Sequence, residues 1–298
     1  MTATATATLL VTIGVAGVPS GAAAAAPAAA GAKPAAATPR THVYLVPHQD
    51  DEVLSMAATI RRSIREVGAA NVHLVLMTTG QSSAARAALA RGVHPRADTR
   101  MTVRTSLSTE RFAQSRDAEF RASARRLGVP AANVHLSLPR WKRVADGNLT
   151  AATSAAFVNA AIDRFGRSAA YNTMSDVDPS RDHRTLGIQL RRIAASRKVA
   201  QTTYHYPQYH LPAKKSLVRI APATNADRAA IRAAAREYGV VKPESNRWAV
   251  GWVSVAAAFG GEALRTWQIA PNGRVWKPAA VKAPARGLFD SLSSYIHR

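Results

Sequence analysis

Cysteine is absent from the 298 residues of this chain. Disulfides, thiolate nucleophiles and cysteine-type zinc sites are therefore excluded. A chain this long buries a core large enough to need no disulfide staples. Acidic residues are scarce: Asp and Glu total 18 against 40 Lys and Arg, a formal charge of +22. Lysine is scarce too, with 8 of those 40, so arginine carries the charge. Such an excess favours acidic partners: anionic polymers, cell-envelope material, membrane surfaces or nucleic acid. It is equally what an Arg- and Ala-rich composition from GC-rich coding produces, since the charges are scattered. Specific nucleic-acid recognition is not expected, because zinc fingers, RNP-type motifs and basic-aromatic stripes are all missing. A membrane span is not expected either, since the apolar run Leu9–Val18 is too short for one.

Residues 1–40 differ from the rest. The run Leu9–Val18 is followed by the small-residue tract Gly21–Ala26 and then Pro27. That is the order of a secretory leader. No Lys or Arg precedes Lys33, so the usual basic start is missing. Ala28–Pro39 reads as a linker. The expected division is a leader and linker over 1–40 and one domain over 41–298, exported to the medium or the cell envelope. A disordered Ala/Pro-rich tail is the alternative.

Beyond the linker, apolar runs alternate with helical patterns. Strands are expected at His42–Val46, Val72–Met77, Asn133–Leu138, Ala169–Met174, Val199–Tyr206, Leu217–Ile220 and Arg247–Val255. Helices are expected at Val53–Val67, Phe112–Leu127, from Thr150 to Gly166, from Asp182 past Ile193, and at Ala226–Tyr238. Gln81–Ser108 is a polar excursion with little periodicity. The tail with Trp267 and Trp276 either finishes a sheet edge or covers it. The repeated β-α-β rhythm predicts an α/β, Rossmann-like fold, a largely parallel sheet with helices on both faces. Ligands in such sheets bind at the carboxyl ends of the strands.

One stretch at such an end stands out. Pro47-His48-Gln49-Asp50-Asp51-Glu52 places three of the 18 acids in a row beside a histidine. Helix capping accounts for one or two of those acids. It does not account for His48. His48 and Asp51 can turn inward from one strand-to-helix turn as metal ligands. Asp50, adjacent but free, can then take a proton from water. Glu52 serves as a capping partner or supporting acceptor.

A hydrolytic zinc site usually takes three protein ligands. His183, in Pro179-Ser180-Arg181-Asp182-His183, is the best-placed third, at another strand's carboxyl end, with Asp182 beside it as a supporting partner. His42 and His73 fall inside strand patterns and read as packed residues. His205 and His210, in Tyr204-His205-Tyr206-Pro207-Gln208-Tyr209-His210, either line a substrate pocket or belong to an ordinary packed loop.

Residues 47–52 resemble the P-H-x-D-D-E signature of the PIG-L/LmbE-like zinc-dependent N-acetylglucosaminyl deacetylases. Thr78-Thr79-Gly80, the R-x-x-E pattern Arg116–Glu119 with the turn at Val129, and Asp182-His183-Arg184 with Gly187 follow in the same order. The likeness runs over roughly Thr41–Tyr206. It implies a Rossmann-like fold, zinc held by His48, Asp51 and His183, Asp50 as general base, and removal of an N-acetyl group from an amino sugar or glycoconjugate, with anionic substrates among the candidates. One position departs. The family's second motif, H-x-D-H, has its first histidine replaced by Ser180. A serine donates a hydrogen bond but is no cationic acid. Losing an oxyanion donor typically costs ~10²–10³ in rate. The acid is then Asp50 once protonated, or His205 or His210 from another loop. The alternative is a non-catalytic glycan- or polymer-binding protein on the same fold.

Overall fold

The computed structural model describes residues 41–81, 84–94, 102–206, 217–259 and 266–269. The expected leader and linker over 1–40, His210 and Trp276 lie outside the described residues.

Strands β1 (His42–Val46), β2 (Val72–Leu76), β3 (Val134–His135), β4 (Ala170–Met174) and β5 (Gln201–Tyr206) pair in parallel. The spatial order is β3-β2-β1-β4-β5. Beyond β5 the sheet continues antiparallel. β9 (Thr266–Ile269) inserts between β5 and β6 (Leu217–Ile220), so the segment with Trp267 lies inside the sheet rather than finishing its edge, which is β6. The fold is α/β and Rossmann-like, as the β-α-β rhythm predicts. The chain leaves β1 for β2 on one side, while β4 lies on the other. That reversal opens a crevice at the carboxyl end of β1, where ligands bind in such sheets.

Both faces of the sheet are covered. Tyr44 and Val46 of β1, with Leu74, Leu76 and Met174, pack under α2 (Ala57–Val67), α4 (Thr109–Arg126) and α7 (Asn225–Glu237) through Ile60, Phe120 and Ile231. Val43 and Leu45, with Val75 and Tyr171, pack against α5 (Ala151–Phe165) and α6 (Arg181–Arg197) through Phe157, Ile162, Leu186 and Leu190. The alternation follows the two-residue period of a strand. Each such side chain contributes roughly 1.5–3 kcal/mol on burial. Among the described residues no helix is long and apolar enough to cross a membrane.

Three expectations need correction. The helix expected from Val53 is two pieces, α1 (Asp51–Leu54) and α2, separated at Ser55 and Met56, whose φ values are −124° and −122°. The excursion holds a helix, α3 (Ala85–Arg91), whose Ala85 and Leu89 join Val103, Leu107, Phe112 and Val250 in a third cluster. The strand expected at Arg247–Val255 is a two-residue strand, β8 (Arg247–Trp248), paired with β7 (Val241–Lys242) and followed by helix α8 (Val250–Phe259). An apolar, β-branched run has no periodicity to tell the two apart. A tertiary contact decides it: the buried Glu119 carboxylate accepts from the backbone N–H groups of Val250 (2.7 Å) and Gly251 (2.8 Å). Those are two of the donors that a helix start leaves free.

Candidate metal centre at the carboxyl end of the sheet

The turn from β1 into α1 carries the acids. Asp50 sits at φ 109°, ψ −27°. A non-glycine residue held there costs on the order of 1–3 kcal/mol. Neighbours hold it from several sides. Glu52 Oε2 accepts from the Asp50 backbone N–H at 3.0 Å. Glu52 Oε1 accepts in turn from Ser123 Oγ (2.6 Å) and Tyr238 OH (2.7 Å). Arg116, buried, donates to the Gln49 carbonyl at 2.6 Å and to Asp50 Oδ2 at 3.3 Å. Gln49 donates to Asp117, and the Arg143 guanidinium clamps both oxygens of that carboxylate. Glu52 is thus the supporting acceptor expected of it.

His183 arrives from β4. Gly187, one turn further along α6, lets the helix lie against the end of that strand. A Cβ there would stand 2.5 Å from the Asp176 nitrogen and 2.7 Å from the Met174 oxygen. The close approach brings His183 to His48 across 135 residues of sequence. His48 Nδ1, Asp51 Oδ2 and His183 Nε2 form a triangle with sides of 3.3, 3.1 and 3.1 Å. Ligands ~2.0–2.1 Å from a tetrahedral zinc stand ~3.3 Å apart, so the triangle fits that ion.

The outer nitrogens strengthen the fit. His48 Nε2 faces Asp182 Oδ2 at 3.1 Å, and His183 Nδ1 faces Asp178 Oδ2 at 3.0 Å. Each carboxylate accepts the ring's proton there. The inner nitrogens are left as lone pairs, pointing at each other and at a carboxylate oxygen. Three acceptors at this separation repel unless a cation lies among them. The surrounding carboxylates also shift how the two imidazoles titrate, towards holding positive charge. Burial would lower His48, but hydrogen bonds to Asp182 and Asp51 push it up to about 9. Burial would lower His183, but Asp51 and Asp178 carry it well above its ordinary value. Burial would raise Asp51, but His183 and His48 hold it below the usual carboxylate range. Burial pushes Asp50 up to about 7 against the pull of Arg116.

The structure therefore brings together His48, Asp50, Asp51, His183 and Asp182. Asp182 supports His48, however, rather than its sequence neighbour His183. The partner of His183 is Asp178, which sequence reasoning missed. A signal for it exists: in a chain with 18 acids, one stands at a strand exit five residues before a candidate ligand. Ser180 is the N-cap of α6, and its backbone N–H donates to Asp178 Oδ1 at 2.8 Å. Its hydroxyl makes no capping bond.

His205 does not serve the site. It lies within β5, fully buried, with its ring 6.3 Å from that of Tyr44. Neither ring nitrogen has a hydrogen-bond partner among the described residues, and burial drives it down to about 3. A ring kept neutral on the core face of the sheet cannot supply the proton that Ser180 lacks. His42 and His73 are packed residues, as expected. His42 Nδ1 meets Ser63 Oγ at 2.6 Å, and His73 stacks on His135.

Fold and site together define an α/β protein with a candidate metal centre, His48, Asp51 and His183, at its topological switch point. The profile of the PIG-L family, described as GlcNAc-PI de-N-acetylase, matches residues 43–194, and the chain belongs to that family. Among curated proteins no sequence matches. Solved structures with a similar course include N,N'-diacetylchitobiose deacetylase from Pyrococcus horikoshii, 19% identical over 80% of this chain and 87% of that one, with a TM-score of 0.47. A40926 pseudoaglycone deacetylase is 14% identical over 78% and 96%, with a TM-score of 0.48. The 4-carboxy-2-hydroxymuconate hydratase of Pseudomonas putida is 16% identical over 77% and 94%, with a TM-score of 0.45.

Proposed function

We propose that this protein is a zinc-dependent hydrolase that removes the N-acetyl group from an N-acetylated amino sugar or glycoconjugate. The observation that carries the reading is the triangle of His48 Nδ1, Asp51 Oδ2 and His183 Nε2, with each outer nitrogen on a carboxylate and Asp50 alongside. Those three residues are the zinc ligands. When bound, the metal supplies a Lewis acid that polarises the acetamide carbonyl and acidifies a water. Asp50, the carboxylate beside those ligands, accepts the proton of the attacking water. Water oxygen bonds to the carbonyl carbon, the C–N bond breaks, and acetate and a free amine leave. The amine needs a proton. Ser180 has none to give as a cationic acid, so Asp50 returns the one it took. Arg116 keeps the Asp50 carboxylate in place, and Asp178 and Asp182 keep the two imidazoles turned inward. The leader-like start supports export to the medium or envelope; finding the intact leader on cytoplasmic protein by mass spectrometry would refute that part.

The decisive experiment couples metal analysis with acetate release over N-acetyl sugars and their oligomers. We expect about one zinc per chain. We also expect Asp50→Asn to keep the zinc and to lose ~10²–10⁴ in rate. Zinc far below one per chain, or unchanged activity in that variant, refutes the reading. Ser180 favours a second reading, a binding protein on this fold, which predicts glycan binding that survives chelation with no acetate released.

A further inference from the structure

The main chain of Asp50 is held by a chain of buried contacts that begins far from the metal-binding turn. Arg116 reaches the Asp50 carboxylate, but the left-handed φ of 109° belongs to the backbone and needs its own support. Glu52 gives it. Its Oε2 accepts the Asp50 N–H, while its Oε1 accepts Ser123 Oγ at 2.6 Å and Tyr238 OH at 2.7 Å. A carboxylate turns easily about its last bond unless both oxygens are held. Glu52, Ser123 and Tyr238 are all fully buried, so solvent does not stand in for a donor that is removed.

The two donors come from different parts of the chain. Ser123 lies on α4, within the stretch that the family profile matches. Tyr238 follows α7, beyond the end of that match at residue 194. The tyrosine is pinned in turn by α8. Phe259 stacks on its ring with centroids 5.3 Å apart, and the Trp252 N–H donates to its carbonyl at 3.1 Å. Gly251 packs so closely that a Cβ there would overlap the tyrosine ring. The start of α8 is itself anchored on the Glu119 carboxylate. One helix, α4, thus supplies Arg116 for the Asp50 carboxylate, Ser123 for Glu52 and Glu119 for the segment that pins Tyr238.

Packing alone does not call for this chain. A phenylalanine at position 238 would fill the same space, and an apolar residue at 52 would avoid burying a carboxylate. What the polar contacts achieve is at their far end, the fixed turn at Asp50.

Resting on the deacetylase reading, we propose that Tyr238 is a positioning residue: through Glu52 it fixes the Asp50 main chain, and so the direction in which that base presents its carboxylate to the attacking water. The test uses the zinc-loaded full chain, the variant Tyr238→Phe, and Ile231→Val as a control that loosens the same core cluster without touching the polar chain. Acetate release from N-acetyl sugars and their oligomers is read beside zinc content and the hydrogen exchange of the Asp50 amide by NMR. We expect Tyr238→Phe to lose ~tenfold in kcat with KM and zinc content unchanged. Its Asp50 amide should exchange at least about tenfold faster while the β1 amides keep their protection. Ser123→Ala removes the other donor and should act in the same direction, which keeps the proposal open to test if Tyr238→Phe does not fold. Ile231→Val should match the wild type in kcat and in Asp50 exchange. Unchanged kcat in Tyr238→Phe, on a sugar that the wild type deacetylates, overturns the proposal. Equal losses in Ile231→Val overturn it too, since a general loosening of the core would then be the cause. Zinc lost from Tyr238→Phe overturns it in favour of a role in shaping the ligands. Faster Asp50 exchange in the variant, with no acetate released by the wild type from any sugar, upholds the hold on Asp50 and sinks the deacetylase reading instead. Unchanged exchange together with no acetate release sinks both.

Discussion

Two pairs of histidines in this protein look alike and behave in opposite ways. At the carboxyl end of the sheet, His48 and His183 bring ring nitrogens to 3.1 Å, with centroids 5.1 Å apart. On β2 and β3, His73 and His135 bring theirs to 3.2 Å, with centroids 5.4 Å apart. The surroundings make the difference. Around His48 and His183 stand the carboxylates of Asp51, Asp178 and Asp182, and both rings shift upward. Beside His73 and His135 stand Phe165 and Arg164, and both shift downward, His73 to about 4, through burial first and then the charged neighbours. One pair sits in a pocket that asks for a cation; the other sits in one that refuses it. A close pair of imidazoles is therefore no metal site by geometry alone.

Substitution tests this contrast most forcefully. His183→Ala or Asp51→Asn should drop zinc content from about one per chain to near zero and remove acetate release, whereas His73→Ala should leave both intact. Zinc retained in Asp51→Asn, or lost in His73→Ala, would erase the distinction. A smaller effect is expected from the supporting carboxylates. Asp178→Asn and Asp182→Asn should each weaken zinc affinity by ~10–100-fold, measured by competition with a chelator. No change in either would mean that the ring orientations are held by packing.

Acid titration sharpens the other side. The His73 value in the folded protein lies below its ordinary 6.5. Its contribution to stability is thus complete above about pH 6.5 and lost as pH falls towards about 4. Thermal melts across that window should show a shallower decline in His73→Gln than in the wild type, and a parallel decline would refute the assignment. The smallest effect should come from His205, a buried imidazole whose nitrogens meet no hydrogen-bond partner among the described residues. His205→Leu should be neutral or stabilising by about 1 kcal/mol and leave the rate on N-acetyl sugars unchanged. A large loss of rate would make His205 a candidate acid again.

Much of this architecture is legible in the amino-acid sequence itself. The apolar runs locate β1 and β2, strands buried on both faces, whereas β3 is only the half-buried Val134–His135 of the six residues expected, and β5 opens with the polar Gln201-Thr202-Thr203. The turn Pro47–Glu52 is legible for a different reason: His48, Asp50 and Asp51 lie within four residues, so their closeness needs only a strand that stops and a helix that starts. The α8 segment is not legible. Its helical start depends on Glu119, more than 130 residues away, and nothing in Val250–Phe259 announces that contact.

The metal centre divides along the same line. Local sequence determined which residue types were available and that His48, Asp50 and Asp51 share one turn. Only tertiary structure decided the rest. The parallel pairing of β1 with β4, and the close approach that Gly187 permits, carried His183 to His48. The crossing of the two loops then gave Asp182 to His48 and left Asp178 for His183. The physical reason is reach. A side chain a few ångströms long meets its sequence neighbours by default, but it meets a residue 135 positions away only where the packing of a sheet puts the two strand ends side by side.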